Sequence, residues 1–345
     1  GGRAGLAPVA DGGGGGSATP SALSCLESEM AVLTGTWGAD KITGTAGDDE
    51  IQGLGGDDLI QGLGGDDVIE GQTGSDQLYG GDGADLIFAS HRYNTVLSDA
   101  GTTNVLYGEG GNDALVGSQG IDRLDGGDGD DVLDSRDDDA PGAGDTLLGG
   151  EANNITRFNA DRLVDGGAGD DIFYFGEIAS TVKGGAGADR FDLIQTGNQG
   201  NFSLGDFHLI TDFNAAEGDR LNLGLAGHYQ QKLMFRGALD NPDFTLQGAQ
   251  AFSSGHYGSD LAQIWSWASG GGTWMIADLD GSGTLTDADY VMRFSGAPAL
   301  SREAFVEGAL TGGLLGTDDA DVIHGTDSYD VIYGLAGDDE IHAGA

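Results

Sequence analysis

The sequence predicts an all-β protein: a flattened coil of parallel strands, then a small β-sandwich-like region, then the start of a second such coil. Three observations carry that expectation. From Gly35 the chain falls into nine-residue units, and fourteen of them are clear. All fourteen hold Gly at position 1, Asp at position 6 and an aliphatic residue or Phe at position 8, and twelve hold Gly at position 4. Positions 7–9 then alternate polar, apolar, polar, which is a three-residue strand with one side chain turned inward. Composition alone points elsewhere: 345 residues carry 14 Lys+Arg, 57 Asp+Glu and 67 Gly, a net charge of −43 that usually accompanies disorder. The phase of the residues overturns that reading, because random enrichment does not lock three positions together through fourteen units.

Residues 1–34 read as a flexible Gly-rich linker, with a run at Gly12–Gly16 and neither an initiator Met nor a charged-then-apolar leader. The chain therefore reads as a piece of something longer. Residues 35–88 are six units without a gap: GTWGADKIT, GTAGDDEIQ, GLGGDDLIQ, GLGGDDVIE, GQTGSDQLY and GGDGADLIF. The register returns at 108–134, 166–174 and 184–192, and again at 316–342, where Asp319 and Ser328 replace the second glycine. Glycines at positions 1 and 4 permit positive φ and close backbone approach, so six residues can curl tightly with carbonyls pointing inward. Two units make one turn of a flattened coil, and turns stack at about 4.8 Å. Ile42, Ile60 and Leu78 then line one sheet, and Ile51, Ile69 and Ile87 the other.

The aspartates stack as well. Asp40, Asp58 and Asp76 fall on one edge, Asp49, Asp67 and Asp85 on the other, and Asp113, Asp122, Asp131, Asp171, Asp189, Asp321, Asp330 and Asp339 hold the same position in later units. Bare carboxylates this close repel by kilocalories per mole at intermediate dielectric. The arrangement calls for cations between the turns. Aspartate oxygens combined with backbone carbonyls, such as those of Gly53, Gly62, Gly71 and Gly80, form an oxygen-only donor set that selects Ca²⁺ over the smaller, water-retaining Mg²⁺.

The unit GGxGxDxUx, as it stands in GGDGADLIF, GGDGDDVLD and GGAGADRFD, resembles the RTX nonapeptide, a Ca²⁺-binding repeat of parallel β-helical form. That resemblance implies a right-handed parallel β-roll in an extracellular bacterial protein exported by a type I secretion system, disordered before export and folded by calcium outside. Between the clear units, DAGTTNVLY keeps Asn104 and Leu106, APGAGDTLL keeps Asp145 and Leu147, and GGEANNITR keeps its glycines with Asn154 and Thr156. One roll over 35–192 follows, with irregular, calcium-poor turns near 89–107 and 135–165; two separate rolls are the alternative.

Over 193–310 the nonapeptide features thin out. ITDF…EGDRLNLG and the stretch from Ala251 to Val306 resemble the C-terminal domain of serralysin-type peptidases, which accompanies various catalytic partners and implies no activity of its own. Asp278, Asp280, Ser282, Gly283 and Asp289 fit an EF-hand-like loop, with Asp in place of the usual final Glu; an Asp/Gly-rich β-turn explains them equally well. Trp265, Trp267 and Trp274 suggest an aromatic face, serving as a carbohydrate platform or as core packing. Residues 311–345 read as the start of a second roll.

Several classes drop out. The acidic balance opposes nucleic-acid binding, and no apolar run of about 18 residues is present to span a membrane. The single Cys25 forms neither an internal disulfide nor a thiolate metal site. His91, His208, His228, His256, His324 and His342 include no HExxH pair, and no G-x-S-x-G elbow occurs. The chain thus reads as a non-enzymatic calcium-binding module, secreted or surface-associated, whose partners are calcium ions, the type I secretion machinery, and a cell surface or other copies. Two rival readings are the C-terminal module of a larger secreted enzyme, of metalloprotease or alginate-epimerase type, and an adhesin or surface-layer repeat.

Overall fold

The computed structural model describes residues 30–92, 101–136, 144–158, 163–176, 179–193, 207–222, 232–238, 261–278, 290–296, 300–301, 304–305, 313–315, 322–324, 331–333 and 340–342. Every regular element among them is a strand, apart from a 3₁₀ position at Ala304. Successive units feed alternate sheets. One sheet has ten strands, from Val32–Thr34 through Glu50–Gly55 and Val68–Thr73 to Arg190–Asp192 and Arg220–Asn222. The other begins with Lys41–Thr43, Leu59–Gly64 and Gln77–Asp82, and has thirteen strands. All pairings within the coil are parallel and place like positions on like positions: Ile51 on Ile69, Ile60 on Leu78, Leu133 on Thr156.

That register builds the core. A side chain at position 8 points between the sheets, so each turn contributes one apolar residue from either side. Ile51, Ile60, Ile69, Leu78, Ile87, Leu115, Leu124, Leu133, Phe173 and Phe191 are all fully buried. The gap residues Leu106 and Leu147 are buried in the same column, and Thr156 takes a core position with 1 % exposure. Larger residues enter toward the C-terminal end, where Phe173 and Phe191 stack at 5.1 Å. Truncation in this column leaves a cavity that stacked strands cannot collapse around. Leu124→Ala should therefore cost about 2–5 kcal/mol, whereas Ile121→Ala, three residues away and 46 % exposed, should stay within about 0.5 kcal/mol. Urea unfolding of both variants in calcium checks this; equal losses would refute the assigned facing.

The coil runs past residue 192. His208–Ile210 pairs with Val182 and its neighbour, and Arg220–Asn222 pairs with Arg190–Asp192. Ile210 and Leu221 thus add another turn to the core column, both fully buried. This turn has lost the glycines that mark the repeat but kept the apolar residue, which is what stacking requires. Beyond it, Tyr290–Ser295, Gly272–Asp278, Leu261–Ser269 and Lys232–Ala238 continue the thirteen-stranded sheet, and Phe305 bridges to Leu221 on the other. Met275, Met292 and Phe294 cover the core column. On the other face Trp267 is buried with Ile276 and Val291 against Trp265, Trp274 and Phe207, so these tryptophans pack together. Farther on, Gly313–Leu315 pairs with Val331–Tyr333 and Val322–His324 with Glu340–His342, the same alternation of parallel strands.

Candidate metal centres

Alternate units bring their position-6 residues to the two edges of the coil. There each backbone N–H donates to the carboxylate one full turn on. Asp49 donates to Asp67 Oδ1 at 2.7 Å, Asp67 to Asp85 at 2.8 Å, Asp85 to Asp113 at 2.8 Å and Asp113 to Asp131 at 2.8 Å. The ladder continues through Asn154, Asp171 and Asp189 to Asp219. The opposite edge runs Asp40, Asp58, Asp76, Asn104, Asp122, Asp145.

One oxygen of each carboxylate is thereby satisfied, and the second decides the chemistry. Asp58, Asp67, Asp85, Asp113, Asp131, Asp171 and Asp189 are at most 3 % exposed, yet Oδ2 of each meets no hydrogen-bond donor. A buried acceptor left this way is normally costly, and for an ion more so. The glycine at position 1 leaves a cradle beside it. A methyl group on Gly62 would overlap Asp67 Oδ2 and stand 2.6 Å from the Gly80 carbonyl oxygen; on Gly53 it would overlap Asp58 Oδ2 and stand 2.8 Å from that of Gly71. The Gly53 and Gly62 carbonyls face Asp40 and Asp49 in the same manner.

The electrostatics agree. Burial pushes Asp85 up from 3.8 to about 7, and Asp113, Asp67 and Asp66 add repulsion, against a hydrogen bond from the Asp67 backbone. Burial likewise pushes Asp131 and Asp189 to about 7 and Asp67, Asp113 and Asp171 to about 6. Without a counter-charge each of these groups holds its proton to a higher pH than an exposed aspartate would. Among the described residues no three His, Cys, Asp or Glu side chains converge, so a cation here takes its remaining donors from backbone carbonyls. An anionic oxygen with carbonyls around a glycine-walled gap fits a hard cation of calcium's size and coordination habit.

Asn154 shows the same gap filled from within. Its Oδ1 keeps the ladder bond from Asp131 N–H, and its Nδ2 donates to the carbonyls of Glu151 at 3.4 Å, Ala152 at 3.2 Å and Gly166 at 3.3 Å. An uncharged donor thus stands where a cation would face those oxygens.

The other sequence candidates divide. Asp76 lies in the ladder, fully buried. Asp40, Asp49 and Asp122 lie there too, but their Oδ2 atoms accept the backbone N–H of Thr36, Thr45 and Ser118. Asp278 ends the strand Gly272–Asp278, and its side chain, with Asp280, Ser282, Asp289, Asp321, Asp330 and Asp339, lies outside the described residues. Sequence reasoning left Asp145, Asp219 and His208 out of the candidate set. The first two were signalled: each precedes a buried leucine by two residues, as Asp189 precedes Phe191. His208 was not. It stands two residues before Ile210, and its Nδ1 accepts the Ser180 N–H at 3.2 Å, as an aspartate Oδ1 does elsewhere. The ring lies edge-on to Phe175 and stacked over Tyr290. Complete burial pushes its pKa down to about 4, against a raising contact with the Gly176 backbone, so a neutral acceptor ends this edge.

The family model for the RTX calcium-binding nonapeptide repeat (4 copies) matches residues 34–69, 61–90, 106–139, 163–177 and 315–345. No curated protein matches the chain.

Proposed function

We propose, on the premise that the repeats of this chain are RTX calcium-binding nonapeptides wound into a β-roll, that it is a module which calcium switches from coil to roll outside the cell, after type I secretion, and that its role is structural, at a surface or in a matrix. The observation that carries this reading is the row of buried aspartate oxygens without donors, those of Asp58, Asp67, Asp85, Asp113, Asp131 and Asp171 each beside a carbonyl of the next turn.

Calcium held there supplies the positive charge that the edges lack. The protein's own groups do the rest: Asp Oδ1 ties each turn to the backbone of the one before, Oδ2 and the position-1 carbonyl face the ion, and the glycines keep the gap open. Binding free energy is then folding free energy, because the unfolded chain has no such cradle. With −43 charges and 67 glycines, the chain without cations has both repulsion and backbone entropy against it. Extracellular calcium modules have dissociation constants of about 10⁻⁴–10⁻³ M. Such sites stay empty where calcium is scarce, which suits passage through a secretion channel as an extended chain, and fill once outside. Far-UV circular dichroism tests the switch: millimolar Ca²⁺ should convert coil to β, with Mg²⁺ a poor substitute. An identical spectrum with and without calcium would overturn it.

A further inference from the structure

Four aspartates of the ladder have no orphaned oxygen: in the glycine-poor last turn the Asn214 N–H serves Asp219 Oδ2 at 2.7 Å, and the other three lie in nonapeptide units that share a hydroxyl residue. In the units that begin Gly35-Thr36, Gly44-Thr45 and Gly117-Ser118, position 2 carries a hydroxyl. Thr36 N–H donates to Asp40 Oδ2 at 2.6 Å, and its Oγ1 bonds the same oxygen at 2.9 Å while reaching the Gly38 carbonyl at 3.3 Å. Thr45 repeats this with Asp49: N–H to Oδ2 at 2.5 Å, Oγ1 to Oδ1 at 3.0 Å and to the Gly47 carbonyl at 3.3 Å. Ser118 places N–H and Oγ on Asp122 Oδ2 at 2.6 and 2.9 Å.

The backbone differs in step with the chemistry. In the described nonapeptide units whose position 2 has no hydroxyl, that residue turns left-handed: φ is 77° at Leu54, 87° at Leu63, 74° at Glu109, and positive at Gly81, Gly127 and Gly185. None of Thr36, Thr45 and Ser118 adopts that conformation. For a residue with a Cβ the left-handed state costs about 1–2 kcal/mol. Leu54 and Leu63 bear that cost in the turns whose carboxylate oxygen is bare, so the two conformations serve two kinds of turn.

We propose that a hydroxyl at position 2 is a built-in plug: it occupies the cation's place, so the turns of Asp40, Asp49 and Asp122 close without calcium, while turns with a left-handed position 2 take the ion. Two N–H and O–H donors aimed at the carboxylate put their positive ends where a cation would have to sit. They also use the lone pairs it would need. The Asn154 amide does the same by another route, which makes the substitution of a neutral donor for an ion a repeated device in this coil. The first full turn, with Thr36 on one edge and Thr45 on the other, is thus independent of metal.

This inference rests on the calcium reading above, and counting bound ions separates the two. Native mass spectrometry of the full chain in excess Ca²⁺ is the measurement, on variants whose far-UV spectrum in calcium matches wild type. Thr45→Gly should hold one ion more than wild type, Thr45→Ser the wild-type number, and Leu63→Thr one fewer. A Thr45→Gly protein with the wild-type count overturns the plug, as does a folded Leu63→Thr protein with the wild-type count. A wild-type chain that binds no calcium overturns the underlying reading instead.

Discussion

Asp85→Asn should stabilise the calcium-free roll and weaken the calcium-bound one, opposite signs from a single atom exchange. Asparagine retains the Oδ1 that accepts the Asp67 N–H at 2.8 Å, so the ladder survives. What disappears is a buried charge. Burial first, then repulsion from Asp113, Asp67 and Asp66, lifts the Asp85 carboxyl from 3.8 to about 7. At pH well above 7 that displacement corresponds to about 4 kcal/mol opposing the folded state, and partial relaxation leaves an expected gain of about 1–3 kcal/mol for the amide. The ladder already contains the outcome: Asn104 and Asn154 accept the Asp76 and Asp131 N–H groups at 2.9 Å without a charge. In calcium the balance reverses, because a carboxylate ligand has been lost. Folding in EGTA driven by trimethylamine oxide, which strengthens effective burial, should need less osmolyte for the variant than for wild type. Folding driven by calcium should need more calcium. A shift of the same sign in both titrations would contradict the assignment of Asp85 as both a repulsive group and a ligand.

Most of the coil was legible because its period writes packing and chemistry together: Asp at position 6 and an apolar residue at position 8 fix which edge and which sheet each unit serves. Leu106 and Leu147, between the clear units, were readable for the same reason, since each kept the buried position while glycine was lost. The turn carrying His208 was not readable. An imidazole at the ladder position has no precedent in the other units, and only its pairing with Ser180, across 28 residues, reveals what it replaces. Position 2 was likewise opaque, because Leu54 and Thr36 both fit a tight turn and their difference lies in backbone sign and hydroxyl direction. Arg92 is a third case: its ion pairs with Glu50 and Glu70, both at 2.9 Å, join residues more than twenty positions apart that no periodicity connects.

Acid should take over part of calcium's task. The carboxyls of Asp85, Asp131 and Asp189 titrate near 7 in the roll and those of Asp67, Asp113 and Asp171 near 6, against 3.8 for the unperturbed group. Groups raised in this direction bind protons more tightly when folded. Their destabilisation is therefore complete above about pH 7 and disappears as the pH falls toward 3.8, so the calcium-free roll gains stability across that window. His208 acts the other way. Lowered from 6.5 to about 4, it contributes stability that is complete above 6.5 and lost as the pH falls toward 4. Six carboxyls outweigh one imidazole, and protonation also reduces the overall repulsion. In EGTA, acidification from pH 8 to about pH 5 should raise the β signal in far-UV circular dichroism, where most proteins only lose it. With calcium present, the same protons compete for the ligand oxygens, so the calcium needed for half-folding should rise below pH 7. A calcium-free chain that loses β structure steadily from pH 8 to 5 would mean that the buried aspartates are not what keeps it unfolded.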